Sequence, residues 1–408
     1  MKQLIGPFNQ ILTLNNLPLK GALSDDQMQI VIDGGIMVEE GRIKKIDAFH
    51  KLQSEADQIT KVDGDYVAMP GFIDSHTHMC WGGHRAEDYA LRTSGATYQD
   101  ILNRGGGIHE TVRKTTVATD ENLKKTLTGR IDRHISDGIT TTEIKSGYGL
   151  SVEQELRILR LINETKTISA IDLVPTCLAA HVCPAKFADK KAFLDYLISD
   201  LFPILKAEKL TNRIDIFTEE GAFDVDISRH YLSSAKQMGF DVTVHADQFS
   251  TGGAKLAAEI GAVSADHLES TTDEQIEFLA KSDTVATVLP GASLGLGMQY
   301  APARKLLDAN TCVAISTDWN PGSAPMGDLL LQACVMGAAE KLSTAEVLAG
   351  ITYRAARALR LDDVGILKPG CKADFIAFKV ADFREIFWHQ GKLKPTLVWK
   401  NGNELIGN

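Results

Sequence analysis

The sequence has 408 residues, enough for one large domain and a smaller one, and 44% of them are hydrophobic, so a substantial core is available. Its formal net charge of −10 argues against nucleic acid or an anionic membrane as a main partner, but leaves room for a small anionic substrate in a locally basic pocket. No stretch approaches the roughly 20 apolar residues of a membrane span.

In chain order, the opening MKQLIGPFNQILTLNN is too polar and too interrupted for a signal peptide. Residues 30–67 include IVIDGGIMVEEGRIKKI, short alternating strands with turns. From about 68 to 360, β-rich runs alternate with helical segments. The runs are FIDSHTH (72–78), TTTEIKS (140–146), LVPTCLAAH (173–181), IDIFTEE (214–220), DVTVHAD (241–247), AVSADHL (262–268), VATVLP (285–290) and VAISTD (313–318). Stretches such as VEQELRILRLINE and TDEQIEFLAKS carry apolar residues at helical spacing, while 79–139 reads as a long loop region before its helix. Eight such alternations predict a (β/α)8 TIM barrel over 68–360. The alternative, an open doubly wound sheet, is weakened because no GxGxxG follows the early strands. Residues 364–405 are again strand-like with glycine turns, so 1–67 and 361–408 are expected to pair as one small discontinuous, β-sandwich-like domain. The cysteines (Cys80, Cys177, Cys183, Cys312, Cys334 and Cys371) form no CxxC pair and read as reduced thiols of a cytoplasmic protein.

His76 and His78 stand two apart at the end of the first barrel strand, so both point to one face, inward at the barrel mouth. Alone, such a pair is as well read as two polar residues at a strand end. His181 ends the third strand, His245 and Asp247 the fifth, Asp266 and His267 the sixth, and Asp318 the eighth. Five strands finishing in His or Asp at one level is what a divalent cation at the mouth requires. Three neutral imidazoles and one carboxylate suit zinc or iron better than magnesium or calcium.

PGFIDSHTH, the later strand-end histidines and the strand-eight aspartate together resemble the amidohydrolase superfamily. GGHRAEDYALR, GATYQDILNRGGGIHETVR, TTTEIKSGYGLSVEQELRILR, LAAHVCP, HADQFSTGGAKLAAEIGAVSADHLE, PARKLLDA and STDWNPGSAP resemble, more narrowly, the imidazolonepropionases of histidine breakdown. That resemblance implies one metal on His76, His78, His245 and Asp318. It implies substrate contacts from Arg85, Tyr98, Tyr148, His181, Gln248, Asn320, Gly322 and Ser323, with His267 near the reacting water. It implies a cytoplasmic homodimer that hydrolyses the ring C–N bond of 4-imidazolone-5-propanoate to N-formimidoyl-L-glutamate. A related cyclic amidohydrolase or deaminase on the same scaffold is the alternative, and a catalytically inactive binding barrel a more distant one. Two positions depart from the commoner pattern: His84, where Ser or Asn is more frequent, and Gln248, where some relatives carry Glu.

Each assignment has a plainer counterpart. Arg85, a planar fork suited to a carboxylate, could form a salt bridge to Glu87 or Asp88. Tyr148 could simply pack, and Tyr98 could begin a helix. His181 could be a buried histidine bonded to backbone, and His267 could orient Asp318. Glu143 and Lys145 read as structural. Gln248 does not titrate, so the proton acceptor falls to Asp318, assisted by His267.

Overall fold

The computed structural model describes residues 1–96, 100–101 and 104–407; Tyr98, among the expected substrate contacts, lies outside them. Eight strands form at the expected places: Phe72–Asp74, Ile139–Lys145, Asp172–Ala180, Arg213–Thr218, Asp241–Ala246, Ser264–His267, Val285–Val288 and Val313–Ile315. They pair in chain order, all parallel. Beyond their ends, the first and eighth meet in a bridge between Thr77 and Trp319. There Asp318 N–H donates to the His76 carbonyl and His78 N–H to that of Trp319, both at 3.0 Å. The barrel therefore closes at its mouth, between the segments that carry the HxH pair and Asp318.

Three of the outer helices begin where the sequence offers a hydroxyl cap. Thr119, Ser151 and Thr272 each accept a backbone N–H from the first turn of Asp120–Ser136, Val152–Ile168 and Asp273–Ala280. The interval expected to be mostly loop holds more structure. Helices Ala86–Thr93 and Ile108–Val117 precede Asp120–Ser136. Apolar side chains of barrel and helices share one large core, which includes Leu127, Leu159, Ile216, Leu232 and Val244.

Both chain ends build the second sheet. Lys2–Leu12, which the sequence did not single out as a strand, lies inside it. It runs antiparallel to Ile30–Glu39 and parallel to Gln58–Lys61 and Val67–Pro70. Its register shifts between Ile5 and Phe8, across Gly6 and Pro7, which breaks the alternation a sequence reading relies on. From the other end, Phe375–Phe378 pairs with Val67–Pro70, and Leu397–Lys400 and Asn403–Ile406 follow. Phe8 packs edge-on to Phe375 and Trp399, which stack with centroids 4.5 Å apart. Lys400 ties this sheet to the third barrel strand through Asp172 at 2.7 Å, which also takes Lys372 at 2.9 Å. Among the described residues no helix is long and apolar enough to cross a membrane, and all six cysteines are free thiols.

Candidate active site

Closure of the barrel brings the strand-end side chains together. His76 Nε2 lies 3.6 Å and His78 Nε2 3.2 Å from Asp318 Oδ1, and His245 Nε2 lies 3.4 Å from His78 Nε2. All four residues are buried. His76 Nε2 is a buried polar atom with no hydrogen-bond partner. Nitrogen lone pairs that converge on one carboxylate oxygen, one of them otherwise unsatisfied, fit a cation and are costly without one.

The far side of two of these rings is held by carboxylates. His76 Nδ1 is 2.8 Å from Asp266 Oδ2, and His245 Nδ1 is 3.0 Å from Asp215 Oδ2. Such partners fix the ring orientation and leave Nε2 as the ligand atom. Burial lowers the pKa of all three histidines, that of His78 to about 3, so they are neutral imidazoles, the form that ligates. Beneath them Lys145, 1% exposed, reaches Glu143 Oε1 at 2.7 Å, Asp215 Oδ2 at 2.9 Å and Asp266 Oδ2 at 3.9 Å. Burial works against its charge, but Asp215, Glu143 and Asp266 outweigh that and raise its pKa. Asp215 is a site residue the sequence reading missed. Its signal was a single carboxylate inside IDIF, with apolar residues on both sides.

His267 completes the ring of histidines, with its centroid 5.8 Å from His76 and 5.3 Å from His245. Burial opposes its protonation, yet Glu269, whose Oε2 is 3.4 Å from Nδ1, raises its pKa on balance. Glu269 is a second partner the sequence reading did not name. The backbone is left-handed at His267 (φ +87°), Leu268 (+72°), Asp318 (+52°) and Asp247 (+53°). Strain of this kind concentrates where side chains must be aimed. The Asp247 carboxylate meets the first turn of the helix Gly253–Ile260, where Oδ1 accepts the Ala254 N–H at 3.1 Å.

A model of the amidohydrolase family matches residues 67–405. The imidazolonepropionase of Bacillus cytotoxicus is 38% identical over 98% of this chain and 96% of its own length. That of Caldanaerobacter subterraneus subsp. tengcongensis is 40% identical over 83% of each. The chain belongs to the imidazolonepropionases, within the amidohydrolase family. Two solved structures share its fold at lower identity. Atrazine chlorohydrolase from Arthrobacter aurescens TC1, complexed with zinc, superposes with a TM-score of 0.75 at 17% identity, over 100% of this chain and 95% of that one. An adenosine deaminase from Xanthomonas campestris with bound zinc gives 0.72 at 16%, over 99% and 93%.

Of the described residues singled out from the imidazolonepropionase motifs, His181 and Tyr148 lie beside the donors and Asn320 and Ser323 contact Asp318. His181 stacks on His78 with centroids 5.5 Å apart, and Tyr148 lies 5.9 Å from His78 and 5.7 Å from His181. His181 Nδ1 bonds the Gly147 carbonyl oxygen at 3.1 Å, the backbone contact of the plainer reading, and that contact leaves Nε2 for a ligand. Gln248 is nearly buried, and its side chain has no hydrogen-bond partner among the described residues. Arg85 does form the salt bridge to Asp88, at 2.8 Å, but through Nε alone, and the pair is largely buried. Neither terminal nitrogen has a hydrogen-bond partner among the described residues. Nη1 lies so close to Gly322 that a Cβ there would come within 2.2 Å. Asn320 is occupied with Asp318: Nδ2 donates to its Oδ2 at 2.9 Å and its carbonyl at 2.7 Å, while Oδ1 accepts from Gly322 N and Ser323 N. Ser323 Oγ also donates to Asp318 Oδ2, at 3.3 Å. In this arrangement Asn320 and Ser323 brace Asp318. His84 is exposed; its Nδ1 accepts the Ala86 N–H at 3.4 Å and its carbonyl accepts from Lys114 Nζ at 2.8 Å.

Proposed function

We propose that the chain hydrolyses 4-imidazolone-5-propanoate to N-formimidoyl-L-glutamate in a metal-dependent reaction. One observation carries this reading: His76, His78, His245 and Asp318 bring their donor atoms together at the barrel mouth, with the rings of His181 and Tyr148 beside His78. A flat ring can sit against the donors while its propanoate tail reaches the Arg85 guanidinium.

A divalent cation, zinc or iron, held by those four residues would polarise the ring carbonyl and lower the pKa of a water molecule beside it. Asp318 takes the proton of the attacking water and delivers it to the ring nitrogen as the C–N bond breaks. Asn320 and Ser323 keep its carboxylate from swinging away. His267, held at Nδ1 by Glu269, donates a hydrogen bond from its ring N–H to the carbonyl oxygen as charge develops there. Gln248 reads the ring by donating or accepting, and cannot serve as the base. His181 and Tyr148 hold the ring; burial raises the pKa of Tyr148, so it acts as a neutral phenol. We further propose that the enzyme works as a cytoplasmic homodimer and that residues 68–360 form its catalytic unit.

Incubation with imidazolonepropanoate should abolish the ring's ultraviolet absorption and yield formimidoylglutamate by mass spectrometry. No turnover of this acid, together with turnover of a cyclic amide or aminopurine lacking the tail, would favour the alternative on the same scaffold. Arg85→Lys retains the charge and loses the fork, so kcat/KM should fall at least about tenfold. Unchanged steady-state kinetics would show that Arg85 does not hold the carboxylate.

A further inference from the structure

Beneath the loop 146–150, which links the second barrel strand to the helix Val152–Ile168, lies a carboxylate with no role in the chemistry above. Glu155, one turn into that helix, is fully buried. Its Oε1 accepts the N–H of Gly149 at 2.6 Å and of Leu150 at 2.9 Å, and Oε2 accepts that of Gly147 at 2.9 Å. Burial raises its pKa, and the Ser146 hydroxyl with the loop amides opposes this by favouring the charged form. A carboxylate has about four acceptor positions and no donor, so these groups use it fully. The loop is wound tightly around it, with φ +119° at Gly147 and +52° at Leu150. Tyr148 sits between the tethered amides, and the Gly147 carbonyl is the one that holds His181 Nδ1. A Cβ at Gly147 would lie 3.0 Å from that same nitrogen, so loop and imidazole are in close register.

We propose that Glu155 is a positioning residue for Tyr148 and His181. Its carboxylate shapes the loop that seats the Tyr148 ring. The same loop presents the Gly147 carbonyl, which keeps the His181 proton on Nδ1 and leaves Nε2 for the substrate. The proposal rests on the reading of Tyr148 and His181 as substrate contacts. It assigns to one buried side chain, distant from the metal donors in sequence, control over both.

A double-mutant cycle on the metal-loaded enzyme tests it. Glu155→Gln keeps the shape but turns one acceptor into a donor that faces other donors. It should lower kcat/KM by about 10- to 100-fold while metal content is unchanged. In a Tyr148→Phe/His181→Asn background the same substitution should cost less than about threefold, because the groups it positions are already gone. Ser146→Ala removes one of the donors at less risk to folding, and should show the same pattern with smaller amplitude. Equal fold losses in the two backgrounds, from either substitution, would overturn the proposal and leave the substrate contacts standing. Undiminished turnover by the Tyr148→Phe/His181→Asn protein would overturn those contacts and the proposal together.

Discussion

Replacement of Asp318 by Asn is expected to lower kcat by at least about 10³-fold. The amide keeps an oxygen near His76 and His78, which lie 3.6 and 3.2 Å from the carboxylate. It cannot accept the proton of the attacking water. Its nitrogen would also face Asn320 Nδ2 and Ser323 Oγ, so the hydrogen bonds that Oδ2 accepts from them are lost. Gln248→Leu should be milder. It leaves a polar group of the ring unpaired and should weaken binding by about 1–3 kcal/mol, seen chiefly in KM. Gln248→Glu should keep measurable activity and change substrate affinity through its charge. Metal content, measured in each variant, separates a lost ligand from a lost base. The division of roles would be reversed if Gln248→Leu abolished turnover while Asp318→Asn kept its metal and most of its activity.

Lys145→Met should destabilise the fold by about 3–5 kcal/mol, because it leaves the carboxylates of Glu143, Asp215 and Asp266 buried without their cation. The pH dependence has a definite sign. Burial already raises the pKa of Glu143 and of Asp266 in the native protein, and removal of the ammonium raises both further. An acid whose folded pKa lies above its unfolded value contributes stability that is present below the unfolded pKa and is lost as pH rises through the folded one. The deficit of the variant should therefore be larger at pH 8 than at pH 5. Urea unfolding at the two pH values measures it. A variant as stable as the parent at pH 8 would show that the lysine does not neutralise this layer.

Much of the candidate site was legible in the sequence because side chains that meet at the mouth of a parallel barrel must stand at strand ends. That requirement put His76, His78, His245, His267 and Asp318 in view before any pairing was known. The layer beneath was harder to read. Glu143 and Lys145 looked structural, and Asp215 passed unnoticed, because a charge inside a strand gains its partners from other strands of the barrel. Lys145 on strand two reaches Asp215 on strand four and Asp266 on strand six only once the barrel has closed. Period-two alternation also fails where the chain turns. His245 and Asp247 would share a face on a regular strand, yet φ of +53° sends Asp247 to a helix N-terminus. At the amino end, the register shift between Ile5 and Phe8 hid Lys2–Leu12 from a pattern search, although it is an interior strand of its sheet. Arg85 forms the plainer of the two contacts read for it, a salt bridge to Asp88 through Nε.

The claim that one cation among His76, His78, His245 and Asp318 is needed for hydrolysis is open to a direct titration. Protein stripped with a chelator is reloaded with zinc or ferrous iron in sub-stoichiometric steps, and imidazolonepropanoate turnover is followed against bound metal. Activity should be absent from the stripped protein, rise in proportion to metal and level off at about one equivalent per chain, as expected where three imidazoles and one carboxylate form a single centre. Full turnover by protein shown to be free of metal would contradict the account.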